Sequence, residues 1–112
     1  MTRQNLDNPK IYDPIIIKGV KFGVYTQGAI AATLIVSRDT SYLMFLALSS
    51  AQNVQMPAAE LGLSFLITNN SSAANTITIK DADTTTTRGT IAQNAAAIVY
   101  SDGVRWWVGP LT

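Results

Sequence analysis

Apolar and polar positions alternate with a period of two along most of this chain, which predicts strands almost from end to end. In residues 15–25 (IIIKGVKFGVY), Ile15, Ile17, Phe22 and Val24 stand among Lys and Gly, and the phase slips near Gly19, as it does in a strand that carries a bulge. Residues 29–36 (AIAATLIV) and 42–48 (YLMFLAL) are apolar on both faces and predict core strands, parted by the turn-prone Ser37, Arg38, Asp39, Thr40 and Ser41. Their Ala, Leu and Met content also admits a short helix; the β-branched and aromatic residues favour strand.

The second half is patterned more sharply. Val54 and Met56 alternate up to Pro57, and residues 57–62 read as a compact turn or one helical turn, with Pro57 leading and Gly62 closing. A strand follows, with Leu63, Phe65 and Ile67 on one face. The turn formers of 69–75 (NNSSAAN) and the alternating 76–80 (TITIK) then predict a hairpin. Residues 81–89 read as a polar loop, followed by short strands at 90–92, 96–100 and 104–108. Asp102 and Gly103 lie between the last two, a pair that supplies the positive φ values of a tight hairpin. About eight short strands predict an all-β fold, an antiparallel β-sandwich or jelly-roll-like barrel. Residues 1–14, with two prolines and little periodicity, are expected to form an extended arm, and 15–112 a single β domain.

Length and composition change this picture in one respect. A chain of 112 residues buries roughly two-thirds of its unfolded surface. That offsets chain entropy only narrowly, so burial against neighbouring subunits is an expected source of stability. Charged residues are 13% of the chain, about half the usual share, while Thr, Ser, Asn and Gln number 13, 8, 7 and 5. A surface this weakly charged does not repel copies of itself, although drift alone produces such surfaces too. The net charge of +1 carries no nucleic-acid signal.

What is missing excludes whole chemistries. Without His or Cys there is no imidazole base, thiol nucleophile, disulfide framework or common zinc or iron site, so no catalytic residue, cofactor or metal is expected. Asp81 and Asp83 fall short of a calcium loop's ligand set and read as solvated turn residues. Asp102 reads as a turn former rather than a proton donor. The amino terminus shows no apolar signal region, and the longest apolar run, 42–48, is far below the roughly 20 residues of a membrane span. Cytoplasmic synthesis is the expectation, with no membrane or nucleic-acid partner.

Trp106 and Trp107 point to opposite faces of the last strand, so one enters the core and the other faces solvent, a neighbour or a ligand. With Arg105 they are the candidate subunit-interface or ligand residues. Pro57, Gly62, Asp102 and Gly103 are the candidate structural turn residues.

The succession Met56-Pro57-Ala58-Ala59, Gly62-Leu63-Ser64-Phe65, Thr68-Asn69-Asn70, Ile77-Thr78-Ile79, Ala92, then Ala97-Ile98-Val99-Tyr100-Ser101-Asp102-Gly103 and Trp106 resembles a pattern of tailed-bacteriophage virion proteins. It is similar to both capsid decoration (cement) proteins and tail-fibre domains, and it spans residues 50–109. The resemblance implies a homotrimeric β module on a virus particle and does not by itself choose capsid over tail; a decoration subunit would have the major capsid protein as its partner. Residues 1–21 carry Arg3, Lys10, Lys18 and Lys21 against Asp7 and Asp13, a net +2, which leaves −1 for the remainder. Arg3, Lys10, Tyr12, Lys18 and Lys21 are accordingly the candidate capsid contacts, in an arm that adds a strand to a neighbour or simply frays. A chain beginning at Met1 with one domain favours a stand-alone decoration subunit. The alternative is a receptor-binding tail-fibre module whose outward Trp contacts carbohydrate.

Overall fold

A computed structural model describes residues 22–111. Residues 15–21 of the strand expected at 15–25, the arm expected at 1–14 and all five candidate capsid contacts, Arg3, Lys10, Tyr12, Lys18 and Lys21, lie outside the described residues; of the expected strand, Val24 and Tyr25 begin the first strand described. The described chain is all-β: β1 (Val24–Ile30), β2 (Leu34–Ile35), β3 (Leu43–Leu48), β4 (Gln52–Gln55), β5 (Ser64–Asn69), β6 (Ile77–Lys80), β7 (Thr87–Ile91), β8 (Ala96–Ser101) and β9 (Trp106–Pro110). There is no helix among the described residues, so 57–62 is a turn, closed by Gly62 at φ +84°.

The strands form two mixed sheets. One has five strands in the order β9-β8-β5-β3-β1, the other four in the order β2-β4-β6-β7. From β1 to β6 the chain alternates between them, one strand in each, and every return lands beside the strand of the previous pass and parallel to it. Val24 thus pairs with Leu43 and Leu43 with Leu66; in the other sheet Leu34 pairs with Val54 and Gln52 with Ile77. This is the winding of a short two-sided solenoid, in which each parallel crossover is made by a strand of the opposite sheet. The last three strands reverse it, with β7 antiparallel to β6, β8 to β5 and β9 to β8.

The expected antiparallel jelly-roll-like barrel is therefore corrected in pairing sense, and each sheet keeps two edges instead of closing. The expected hairpin of 62–68 with 76–80 is likewise corrected: β5 and β6 belong to different sheets, and 69–75 carries the chain across the core. The single strand expected at 29–36 is split, because the chain leaves one sheet after Ile30 and enters the other at Leu34, with Ala29 at φ +54°.

Inward side chains of both sheets meet in one core: Met44, Leu46, Phe65, Ile67, Val99 and Trp106 from the larger, Val54, Ile77, Ile79 and Ile91 from the smaller. Close sheet approach at one side explains why residues 87–89, expected in the polar loop, are strand. A Cβ on Gly89 would sit 3.0 Å from Val108 Cβ, so a side chain there would crowd Val108, while β-favouring Thr87 and Thr90 stand on either side.

A candidate interaction surface

The two outward faces differ in chemistry. On the four-stranded sheet, Asn53, Gln55, Thr78, Lys80 and Thr90 point outward and the face is polar, with Ile35 at its margin. The strands of the five-stranded sheet, VYTQGAI, LMFLAL, SFLITN, AAIVYS and WWVGP, contain no Asp, Glu, Lys or Arg at all. Pairing sets their outward residues in rows: Val24, Leu43, Leu66, Ile98 and Gly109 in one, and Thr26, Phe45, Thr68 and Ala96 beside it. In a third row Tyr100 stands next to Trp107. Val24, Phe45, Tyr100 and Trp107 are exposed, an apolar face of the kind that marks contact with another protein.

At one corner of that face the β8–β9 loop holds an aromatic platform in place. Asp102 Oδ1 accepts the Val104 and Arg105 backbone N–H groups at 2.8 and 2.9 Å, and Oδ2 accepts the Trp107 indole N–H at 3.0 Å. The Arg105 guanidinium lies over the same ring, 5.7 Å from its centroid, so Trp107 is fixed from its edge and its face. Gly103 takes φ +93°, while Asp102 acts through its carboxylate and not through a positive φ, and the loop spans 102–105 where the tight hairpin was expected at Ser101-Asp102-Gly103. Trp106 turns inward: it is 2% exposed, lies 6.1 Å from Phe65 and donates from Nε1 to the Pro57 carbonyl at 2.8 Å. Trp107, 45% exposed, is the outward ring.

The hydrogen bond from Trp107, followed by those from the Arg105 and Val104 backbone, holds the Asp102 carboxyl down at about 2, below the usual 3.8. A depressed folded-state value means that its contribution is complete above about pH 4 and is lost as pH falls through about 2. The Trp107 indole N–H resonance is therefore expected to titrate with a midpoint near pH 2 and to lose that transition in Asp102→Asn. A midpoint close to 4 would show that the carboxylate does not hold the ring.

Two further acids, Asp81 and Asp83, are occupied. Asp81, expected as a solvated turn residue, instead forms a partly buried, two-pronged pair with Arg88 at 2.7–3.1 Å. Asp83 accepts from the Thr85 and Thr86 backbone and the Thr86 hydroxyl, which press its carboxyl well below the usual range. Both line a depression of about 160 Å³ with Ala59, Ala82, Val104 and Trp106. Since their oxygens already serve Arg88 and the loop, this depression has no free carboxylate pair. No group of three potential metal-ligating side chains occurs among the described residues, and no helix there is long and apolar enough to cross a membrane.

Of the residues expected from sequence, Arg105, Trp107, Asp102 and Gly103 come together at one loop, while Trp106 turns into the core beside it and Pro57 and Gly62 lie at the adjoining turn, bonded to the Trp106 indole and the Ser101 carbonyl. Leu43, Phe45, Leu66 and Ile98 escaped sequence reading as surface residues. Their signal was the absence of charge from five separate strands, which takes meaning only when those strands are known to share a sheet. Compared with protein-family models, curated proteins and solved structures, the chain finds no match in any of the three.

Proposed function

We propose that this chain is a structural subunit of a virus particle, a capsid decoration protein that binds the head surface as a homotrimer and stabilises the shell. The observation that carries the reading is the five-stranded sheet without a single charge, whose longest outward row, Val24, Leu43, Leu66, Ile98 and Gly109, is apolar. A face of this kind is stable in water chiefly when covered, and it is self-complementary because no like charges meet when copies pack together. Trp, Tyr and Arg, the residue types that dominate binding energy at interfaces, stand at its corner as Trp107, Tyr100 and Arg105. The polar face of the smaller sheet then remains toward solvent.

The role is mechanical, not catalytic. A trimer seated across several copies of the major capsid protein adds contacts that must break before the shell opens, and weak contacts multiplied by three-fold attachment hold through effective concentration. The resemblance over residues 50–109 points to the particle; the basic residues of 1–21 supply the capsid contacts. A quantitative gel of purified virions tests this directly. Hundreds of copies per particle, with heat resistance falling when the protein is removed, is the expected result, and stripped heads as stable as complete ones would end the cementing role.

A second reading is favoured by one specific feature, the preorganised Tyr100 and Trp107 platform beside Arg105. As a tail-fibre or receptor-binding module, the protein would offer these rings to a carbohydrate. A few tens of copies per virion or fewer, together with selective glycan binding lost in Trp107→Ala, would replace the first reading with this one.

A further inference from the structure

The outward face of the smaller sheet carries a depression of about 180 Å³, lined by Thr33, Ile35, Asn53, Gln55, Lys80 and Thr84. Strand pairing builds its floor. Ile35 stands beside Gln55 and Gln55 beside Lys80, each one strand spacing of about 4.8 Å from the next, and Asn53 lies two residues before Gln55 on the same face. The β6–β7 loop, residues 81–86, forms its wall. Gln55 Nε2 donates to the Ala82 carbonyl at 3.3 Å, which clasps the loop to the sheet, and the Asp83 carboxylate accepts the Thr85 and Thr86 backbone N–H groups at 2.9 Å each. Thr84 is thereby held at φ +67°, a conformation that strains a β-branched residue and that glycine takes freely. A threonine kept there at the wall of a depression points to a use for its hydroxyl.

We propose that this depression binds one hexuronate unit, a sugar ring bearing a carboxylate, with Lys80 on the carboxylate, Asn53, Gln55, Thr33 and Thr84 on the ring hydroxyls and Ile35 against the C–H face. The donors and acceptors select this ligand. Lys80 Nζ donates to the Thr87 hydroxyl at 2.7 Å, one of its three donor directions, and it pairs with no carboxylate among the described residues. Asn53, half-buried, makes no side-chain hydrogen bond among those residues either. Amides and hydroxyls both donate and accept, as sugar hydroxyls do, whereas a lone ammonium only donates and calls for an anion. Ile35, 69% exposed at the margin, supplies the apolar contact that one side of a sugar ring needs. The volume lies below the roughly 300–1,000 Å³ of clefts for cofactors and larger ligands, so a single ring is the unit that fits. A single cation also suits one carboxylate better than the repeated phosphates of a nucleic acid. The inference does not need the proposed assembly: it uses the face which that assembly leaves toward solvent, on the sheet opposite Trp107.

The test is an NMR titration of the full-length, isotope-labelled protein with sodium glucuronate and sodium galacturonate, with glucose and galactose as uncharged counterparts and sodium acetate and phosphate as bare anions. Each is taken to about 20 mM, well above a millimolar dissociation constant. Saturable shifts of the Asn53 and Gln55 side-chain amides and the Thr84 backbone N–H are expected with at least one uronate, and binding about tenfold weaker or less with its uncharged counterpart. Lys80→Gln should bring the uronate down to the affinity of the uncharged sugar. Thr84→Gly should unfold at the same or a higher temperature, since it relieves the strained φ, and yet bind more weakly. Trp107→Ala should bind as the unsubstituted protein does. Digalacturonate binding more tightly than galacturonate would place the ring within a chain, and weaker binding would place it as a free sugar; either upholds the site. Absence of saturable shifts with both uronates would overturn the proposal, as would full affinity in Lys80→Gln or shifts confined to Tyr100 and Trp107. An equal response to acetate or phosphate would mean an adventitious ion only and would overturn it too.

Discussion

Asn69→Leu is expected to destabilise the protein by about 3 kcal/mol, because it strands three buried backbone groups that each cost about 1–3 kcal/mol when unpaired, against a gain of about 2 kcal/mol from the added apolar side chain. Asn69 is fully buried at the end of β5 and uses all of its hydrogen-bonding capacity. Its Nδ2 donates to the carbonyls of Asn75 at 2.8 Å and Ile91 at 3.0 Å, while its Oδ1 accepts from the Ser71 backbone at 3.2 Å and the Ser71 hydroxyl at 2.6 Å. The same Ser71 oxygen accepts the Leu48 N–H at 2.9 Å, and Asn75 Nδ2 donates to the Leu48 carbonyl at 3.0 Å. One amide therefore ties together the ends of β3, β5 and β7 at the corner where the chain leaves one sheet for the other and ladder bonds stop. Leucine has the same branched skeleton and greater bulk, and so keeps water from replacing what is lost. A fall in melting temperature of roughly 12 °C or more is the expected reading, from about 4–8 °C per kcal/mol for a domain of this size. The neighbouring Asn70 is exposed, and Asn70→Leu should change stability by about 0.5 kcal/mol or less. Equal effects at the two positions would show that the buried network does not hold the corner.

That network also marks where sequence reading stops. Residues 69–75 have the composition of an ordinary surface turn, and Asn, Ser and Ala are common there because they satisfy local backbone groups. Nothing in the local pattern distinguishes Asn69, pointing inward, from Asn70, pointing out, until the strands before and after are assigned to different sheets. The same ignorance produced the expected hairpin. Alternation at Phe65, Ile67, Ile77 and Ile79 reports correctly that each strand has one buried face, but period two is the same for parallel and antiparallel neighbours and does not say which strand lies alongside.

Where the physics is local, the sequence was legible. The strands at 42–48, 62–68, 76–80 and 96–100 fall within a residue or two of β3, β5, β6 and β8, because burial on one face imposes a visible alternation. The opposite orientations of Trp106 and Trp107 follow from adjacency in a strand, whereas which ring is buried depends on Phe65 and the Pro57 carbonyl, the latter 49 residues earlier in the chain. The β7 strand was obscured for a different reason: its Thr and Gly content resembles a loop, and only contact with Val108 makes Gly89 a requirement of packing. The apolar outer face is the extreme case. Leu43, Leu66 and Ile98 stand more than 20 residues apart in the chain, and they form a row solely through the pairings of β3, β5 and β8.

Leu66→Lys is expected to abolish trimer formation while leaving the subunit folded. Leu66 lies at the centre of the longest outward row, with Leu43 on one side and Ile98 on the other, on a sheet that has no acidic residue able to pair with an introduced ammonium. In the separate subunit the lysine stem covers part of the same surface and its charge reaches water. In the proposed trimer three ammonium groups would enter contacts between subunits without counterions, and an uncompensated buried charge costs about 3–5 kcal/mol. At about 1.4 kcal/mol per factor of ten, even one such charge weakens association at least 100-fold, and three acting together raise the loss much further. Thr78→Lys, on the outward face of the smaller sheet, introduces the same charge where neighbours are polar and should leave the oligomer intact. Molar mass by light scattering, measured over a hundredfold dilution with circular dichroism on the same samples, reads both quantities. A β-rich monomer for Leu66→Lys and a trimer for Thr78→Lys is the predicted pair of results. If Leu66→Lys stayed trimeric, the five-stranded sheet would not be the surface through which copies meet, and the charge-free strands would need another cause.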